Sequence, residues 1–170
     1  MKRLLRFLIV CCFPGGLLAQ ELKYTHTENA WNADSLGNQR ILVTFNGEGK
    51  VARVIIPWRR RDAHPQDKRI IVEDVQTHQQ ITNVIAKNIT SASGEVFFEP
   101  VSGRGEYHIY YMPFRNEGRT YYPQSAYLPP VITASASWVL AIPDNMPPNA
   151  IATELQSVDA FNSNYPMEVV

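Results

Sequence analysis

The chain has 170 residues and a mass of 19.3 kDa, with 45% hydrophobic residues, 19% charged residues, and 16 Lys+Arg against 16 Asp+Glu. This length allows one domain with a real core but excludes a complete (β/α)₈ barrel, which takes about 250 residues. The balanced charge argues against a nucleic-acid or anionic-membrane partner, and the ordinary composition argues against wholesale disorder or a collagen-like repeat.

The N-terminus reads as an address. Lys2, Arg3 and Arg6 precede the apolar run Phe7–Phe13, which Pro14-Gly15-Gly16 breaks before Leu17-Leu18-Ala19. A run this short cannot cross a bilayer, and the three-part pattern predicts a secretory signal peptide over residues 1–19 and an exported product. Val10 precedes Cys11 where a lipoprotein signal needs a small residue. Cleavage after Ala19 removes Lys2, Arg3 and Arg6 and leaves 13 basic against 16 acidic residues, a net charge of about −3. Cys11 and Cys12 leave too, so the mature domain has no disulfide and no cysteine nucleophile or ligand. No transmembrane segment is expected in the mature chain.

Strand follows strand from there. Arg40–Phe45 and Val51–Trp58 alternate, and Asn46-Gly47-Glu48-Gly49 between them reads as a hairpin turn. Pro57 ends the second strand or confines it to an edge. Arg69–Asp74 and Ile81–Ala86 are two further strands, and Glu95–Glu99 stops at Pro100. Glu106–Met112 is the clearest strand, with Tyr107, Ile109 and Tyr111 on one face and His108, Tyr110 and Met112 on the other. After Gly118 there is no glycine, and seven of the twelve prolines lie between Pro113 and Pro148. Tyr121–Pro130 reads as extended or loop, Ser137–Ile142 and Ile151–Gln156 as strands, and Ser157–Asn162 as a short helix. This pattern predicts an all-β fold, an antiparallel β-sandwich of jelly-roll-like type over residues 20–156, with 157–170 as the start of a linker.

Chemistry is sparse. His26, His64, His78 and His108 lack metal-site spacing, and no Gly-x-Ser-x-Gly elbow is present. Glu73 and Asp74 are strand neighbours that point to opposite faces, so they cannot flank one glycosidic bond. No catalytic residue, metal site or cofactor is predicted. Asn88-Ile89-Thr90 matches a glycosylation acceptor.

Two runs stand out. Trp58-Arg59-Arg60-Arg61-Asp62 is either a solvated turn with an exposed ion pair or a recognition surface of arginine forks beside a stacking tryptophan. His108 and Tyr110 either line a carbohydrate surface or lie beneath a loop or a neighbouring domain. Together these seven residues are the candidate ligand or interdomain surface.

Gly37-Asn38-Gln39-Arg40, Ile56–Asp62, Phe98–Gly103, Gly105–Pro113 and Tyr165-Pro166-Met167-Glu168 resemble the N-terminal domain of large secreted glycoside hydrolases of the family 123-like group, common in Bacteroidetes-type bacteria. The resemblance runs from about Asp34 to the last residue. It implies a β-sandwich that precedes and packs on a (β/α)₈ catalytic barrel. Hexosaminidase-type members use a barrel Asp–Glu pair with the substrate's acetamido group as nucleophile; no position here matches that pair. The chain is thus expected to be a non-catalytic accessory domain, cut short before its barrel. A free-standing carbohydrate-binding module and a ligand-free structural sandwich are the alternatives.

Overall fold

A computed structural model describes residues 22–28, 30–119 and 122–159. The expected signal peptide lies outside them, as do residues 160–162 of the expected 157–162 helix; Ser157 itself belongs to a strand.

The elements in chain order are β1 (Lys23–His26), α1 (Ala33–Leu36), β2 (Gln39–Phe45), β3 (Ala52–Ile56), β4 (Ile71–Asp74), β5 (Val84–Lys87), β6 (Gly94–Phe98), β7 (Gly105–Tyr110), β8 (Phe114–Arg119), β9 (Tyr122–Tyr127), α2 (Ala136–Leu140) and β10 (Ala150–Ser157). A five-stranded sheet runs β1-β10-β2-β7-β4, a three-stranded sheet runs β3-β6-β5, and β8-β9 form a separate ribbon. All pairs are antiparallel except β1 with β10. The two larger sheets face each other across a core that includes Ile41, Val43 and Phe45 of β2, Val54 and Ile56 of β3, Phe98 of β6, and Tyr107 and Ile109 of β7. The fold is an all-β sandwich.

The expected hairpin through Asn46–Gly49 does not form. β2 pairs with β7 and β10, whereas β3 pairs with β6 in the opposite sheet. Both strands carry apolar alternates that must face the core. Placed side by side they would share one layer, so residues 46–51 instead arch across the roughly 10 Å between sheets. Ser137–Ile142 is also not a strand. Ser135 caps α2 there, its hydroxyl accepting from the Trp138 amide at 3.3 Å, as an N-cap serine does. β8 pairs with β9 as a ribbon that turns Tyr122–Tyr127 into a strand.

Each sheet's outer face is covered by a short segment carrying one tryptophan. Trp138 of α2 joins Val51 and Phe97 in a second apolar cluster outside β3 and β6. Trp31, ahead of α1, lies over the outer face of β2 and β7. Its indole donates to the Gly37 carbonyl at 2.7 Å, closing the loop. Gly37 has φ +80°, and a Cβ there would stand 2.3 Å from the Met112 carbonyl oxygen.

One edge of the three-stranded sheet is closed. Asn149 accepts from the Arg53 amide at 2.7 Å and donates to the Val51 carbonyl at 3.0 Å. These bonds carry the β3 edge across to β10. The other edge, β5, has no strand beyond it among the described residues.

The third tryptophan joins the two sheets. Trp58, just past β3, stacks on Tyr111, just past β7, with ring centroids 5.1 Å apart at 25°. It lies against Gly94 at the start of β6, where a Cβ would meet the indole at 2.2 Å. Gly94→Ala should therefore destabilise the domain by about 1–3 kcal/mol through overpacking, measured as a lower urea midpoint at unchanged slope.

Candidate functional site

The arginine run forms a buried knot. Arg60 and Asp62 pair in a two-pronged contact, Nε to Oδ1 at 2.9 Å and Nη2 to Oδ2 at 2.8 Å, with both side chains removed from solvent. Lys68 adds a second cation 2.9 Å from Asp62 Oδ2. The Arg60 guanidinium lies 5.0 Å from the Trp58 ring and 5.5 Å from the Tyr111 ring. The Trp58 indole donates to the Thr90 carbonyl at 2.7 Å, and the Arg60 amide to that of Ser91 at 2.9 Å. Burial alone would raise the Asp62 pKa. Hydrogen bonds and charge from Arg60 and Lys68 outweigh it and hold the carboxyl below its ordinary 3.8. Its contribution to stability is thus present above about pH 3.8 and lost as the pH falls through the lower folded-state value.

A second cluster lies on the outer face of the five-stranded sheet. Strand alternation turns Arg40, His108, Tyr110 and Glu73 outward, and register aligns them. Gln156, Arg40 and Tyr110 are cross-strand partners, as are Leu42, His108 and Glu73. Arg40 donates through Nε to Gln156 Oε1 at 2.7 Å and through Nη1 to Tyr110 Oη and His108 Nδ1, both at 3.3 Å. Its guanidinium is 4.3 Å from the Trp31 ring, and Trp31 meets Tyr110 edge-on at 6.1 Å. Tyr110 donates to Glu73 Oε1 at 3.5 Å. Trp31, Arg40, Glu73, His108 and Tyr110, with His78 and Asn32, line an open cleft of about 350 Å³.

The tautomer of His108 follows from its neighbour. Arginine can only donate, so the Nδ1 that receives Arg40 carries the lone pair and Nε2 carries the proton. Glu73 Oε1, 3.6 Å from Nδ1, is beyond hydrogen-bond reach. Burial, then electrostatic contributions from Arg40 and His78, push the His108 pKa down to about 4. At neutral pH the ring is uncharged.

A third feature runs along the open β5 edge. Residues 84–89 and 130–134, with Lys68, Ile70 and Val139, line an apolar groove of about 470 Å³. Beside it Ile132 is 93% exposed and Leu140 86%.

Of the seven residues chosen from the sequence, Trp58, Arg60, Asp62, His108 and Tyr110 are buried; Arg59 and Arg61 are exposed. A sugar-stacking role for Trp58 is corrected here. The ring is 1% exposed, held between Tyr111 and Gly94. The solvated-turn reading is corrected as well, because the ion pair is interior. Trp58, Arg60 and Asp62 sit in one knot, and His108 and Tyr110 belong to the separate outer-face cluster. Sequence reading missed Trp31, Arg40 and Glu73. The alternation that sets Arg40 opposite the inward Ile41, Val43 and Phe45 was the available signal. Among the described residues no three His, Cys, Asp or Glu side chains converge as metal ligands, and no helix is long and apolar enough to cross a membrane.

The geometry defines an all-β sandwich whose interior ionisable groups are tied into the framework. The family model described as glycoside hydrolase 123, N-terminal domain, matches residues 29–158. That is most of the chain, and the chain belongs to this family. Neither a search of curated proteins nor one of solved structures found a match.

Two outcomes test this geometry. Asp62→Asn leaves Arg60 buried without its counter-charge and should cost about 3–5 kcal/mol, read by urea denaturation at pH 7. For His108, the folded pKa near 4 lies below the ordinary 6.5, so between these values the unfolded chain binds a proton that the folded chain does not. The associated stability is complete above about pH 6.5 and lost as the pH falls towards 4, on the order of 3 kcal/mol in all. His108→Gln should flatten the stability profile across that window; an unchanged profile would refute the assignment.

Proposed function

We propose that this domain is the non-catalytic N-terminal β-sandwich of an exported glycoside hydrolase, and that it packs against and supports a (β/α)₈ catalytic domain of the same parent protein. Membership of the glycoside hydrolase 123 N-terminal family supports the parentage. The signal-like N-terminus supports export. Residues 20–156 form the sandwich in this reading, and 157–170 begin the linker.

The docking itself is carried by one observation, the apolar surface beside the open β5 edge. Val131, Ile132, Val139 and Leu140 are all exposed, and Ile132 and Leu140 are the most exposed large apolar side chains among the described residues. Clustered apolar exposure of this kind marks an interaction surface. An open strand edge next to it adds unpaired backbone groups that a neighbouring domain would cover. Arg59 and Arg61, both exposed, supply charge for the rim of an interdomain contact.

The burial of Trp58 and Tyr110 removes the motivation for a free-standing carbohydrate-binding module built on those rings. A ligand-free structural sandwich gives no reason for the exposed Ile132 and Leu140.

Two measurements check the proposal. The reading frame beyond Val170 should encode a hydrolase barrel, in frame or just out of frame; any other sequence there overturns the parentage. In the polypeptide carrying both domains, Ile132→Glu with Leu140→Glu should lower the melting temperature of the catalytic domain and separate two unfolding transitions. The same pair in the 170-residue chain should change stability by no more than about 0.5 kcal/mol per site. An unchanged two-domain melt overturns the docking face.

A further inference from the structure

The outer-face cleft of the five-stranded sheet holds more hydrogen-bonding capacity than the fold uses. Arg40 spends Nε and Nη1 on Gln156, Tyr110 and His108. Its Nη2 has no acceptor among the described residues. His108 accepts at Nδ1, and its Nε2–H likewise has none. Glu73 receives Tyr110 on Oε1 alone. Two donors and a carboxylate acceptor thus remain on residues that line one cleft, beside a half-buried indole and the Leu36 side chain.

The charges select the ligand class. Arg40 carries +1, Glu73 carries −1, and His108 is neutral. An anion would gain Arg40 but meet Glu73, and a cation the reverse. A neutral molecule with adjacent hydroxyls satisfies both sides, because a hydroxyl donates to the carboxylate while another accepts from Arg40 or His108. The apolar wall of Trp31 and Leu36 suits a ring with C–H faces. The volume, about 350 Å³, lies at the small end of ligand pockets, about 300–1,000 Å³.

We infer that the cleft formed by Trp31, Arg40, Glu73 and His108 binds a neutral pyranose ring, with a pair of its hydroxyls bridging Glu73 and the Arg40–His108 donors. This site is on the opposite sheet from the apolar docking face and does not rest on it; either can fail while the other stands.

The test is an NMR titration of the full chain with methyl glycosides of glucose, galactose and mannose, and with sodium glucuronate as the anionic counterpart. Saturable shifts of the Trp31 indole N–H and of amides 71–73 and 108–110 are expected for at least one neutral glycoside. Glucuronate should shift them less. Glu73→Gln should weaken the response about tenfold or more, the loss expected for a charged hydrogen-bond partner. Trp31→Leu, in the covering loop, is the second variant should Glu73→Gln fail to fold. Lys87→Gln, on the other sheet, should leave the titration unchanged. The inference is overturned if no neutral glycoside gives a saturable shift, if glucuronate binds more tightly, or if the folded variants titrate like the parent.

Discussion

The Trp58–Tyr111 stack is the constraint on which the rest of this domain depends. The described residues contain no cysteine, so no disulfide among them joins the two sheets. Trp58 leaves the end of one sheet and Tyr111 the end of the other, and their stacked rings fix the spacing and relative rotation of both. Gly94 makes room for the indole, so the glycine at the start of β6 and the tryptophan after β3 are one structural decision. Aromatic pairs add about 0.5–1.5 kcal/mol beyond their buried area. Their larger effect here is geometric, since a shift of either strand end would unstack them.

Arg60 and Asp62 extend that pin. A buried ion pair is poor evidence for stability, because desolvation offsets most of the attraction. This one instead fixes a path. Arg60 lies over both rings while its amide holds Ser91 and its side chain holds Asp62 and the Pro65 carbonyl. Lys68, bound to Asp62, also lies 5.1 Å from the Tyr127 ring and so reaches the β8–β9 ribbon. A loop that looks like solvated charge is therefore the joint of three layers. The other two tryptophans cover outer faces, Trp31 on one sheet and Trp138 on the other. That coverage, with Asn149 closing the β3 edge, leaves β5 as the open margin of the smaller sheet.

Alternation along a strand was legible, and association between strands was not. Tyr107, Ile109 and Tyr111 face inward as the period of two requires, and Ala52, Val54 and Ile56 do the same. The partner of each strand depends on the topology of the whole sheet. Asn46–Gly49 has the composition of a hairpin turn but serves an arch, because composition does not distinguish pairing within a layer from crossing to the next. Ser135 was a helix cap within a segment whose Val139, Leu140 and Ile142 resemble a strand. The Trp58–Asp62 run was conspicuous in the sequence, yet its burial was not readable, since two prongs closing on one carboxylate depend on a local turn and on Lys68 arriving from six residues on. Arg40, Glu73 and His108 come from three strands far apart in sequence, and only register makes them neighbours.

That register also bears on why the outer face is polar. If covering the sheet were the only requirement, the loop carrying Trp31 would do as well over apolar residues, and a half-satisfied polar network is worse than an apolar one. Arg40 meets the structural need by holding Gln156 and stacking on Trp31. Neither contact requires a histidine at position 108, whose burial in neutral form opposes folding in acid. Nor does either require a carboxylate at position 73, set beside an arginine with unspent donors. The excess polar capacity lines a cleft that a loop covers incompletely, so its cost falls on the fold while the cleft opens to solvent. A role for these groups outside the fold accounts for both facts.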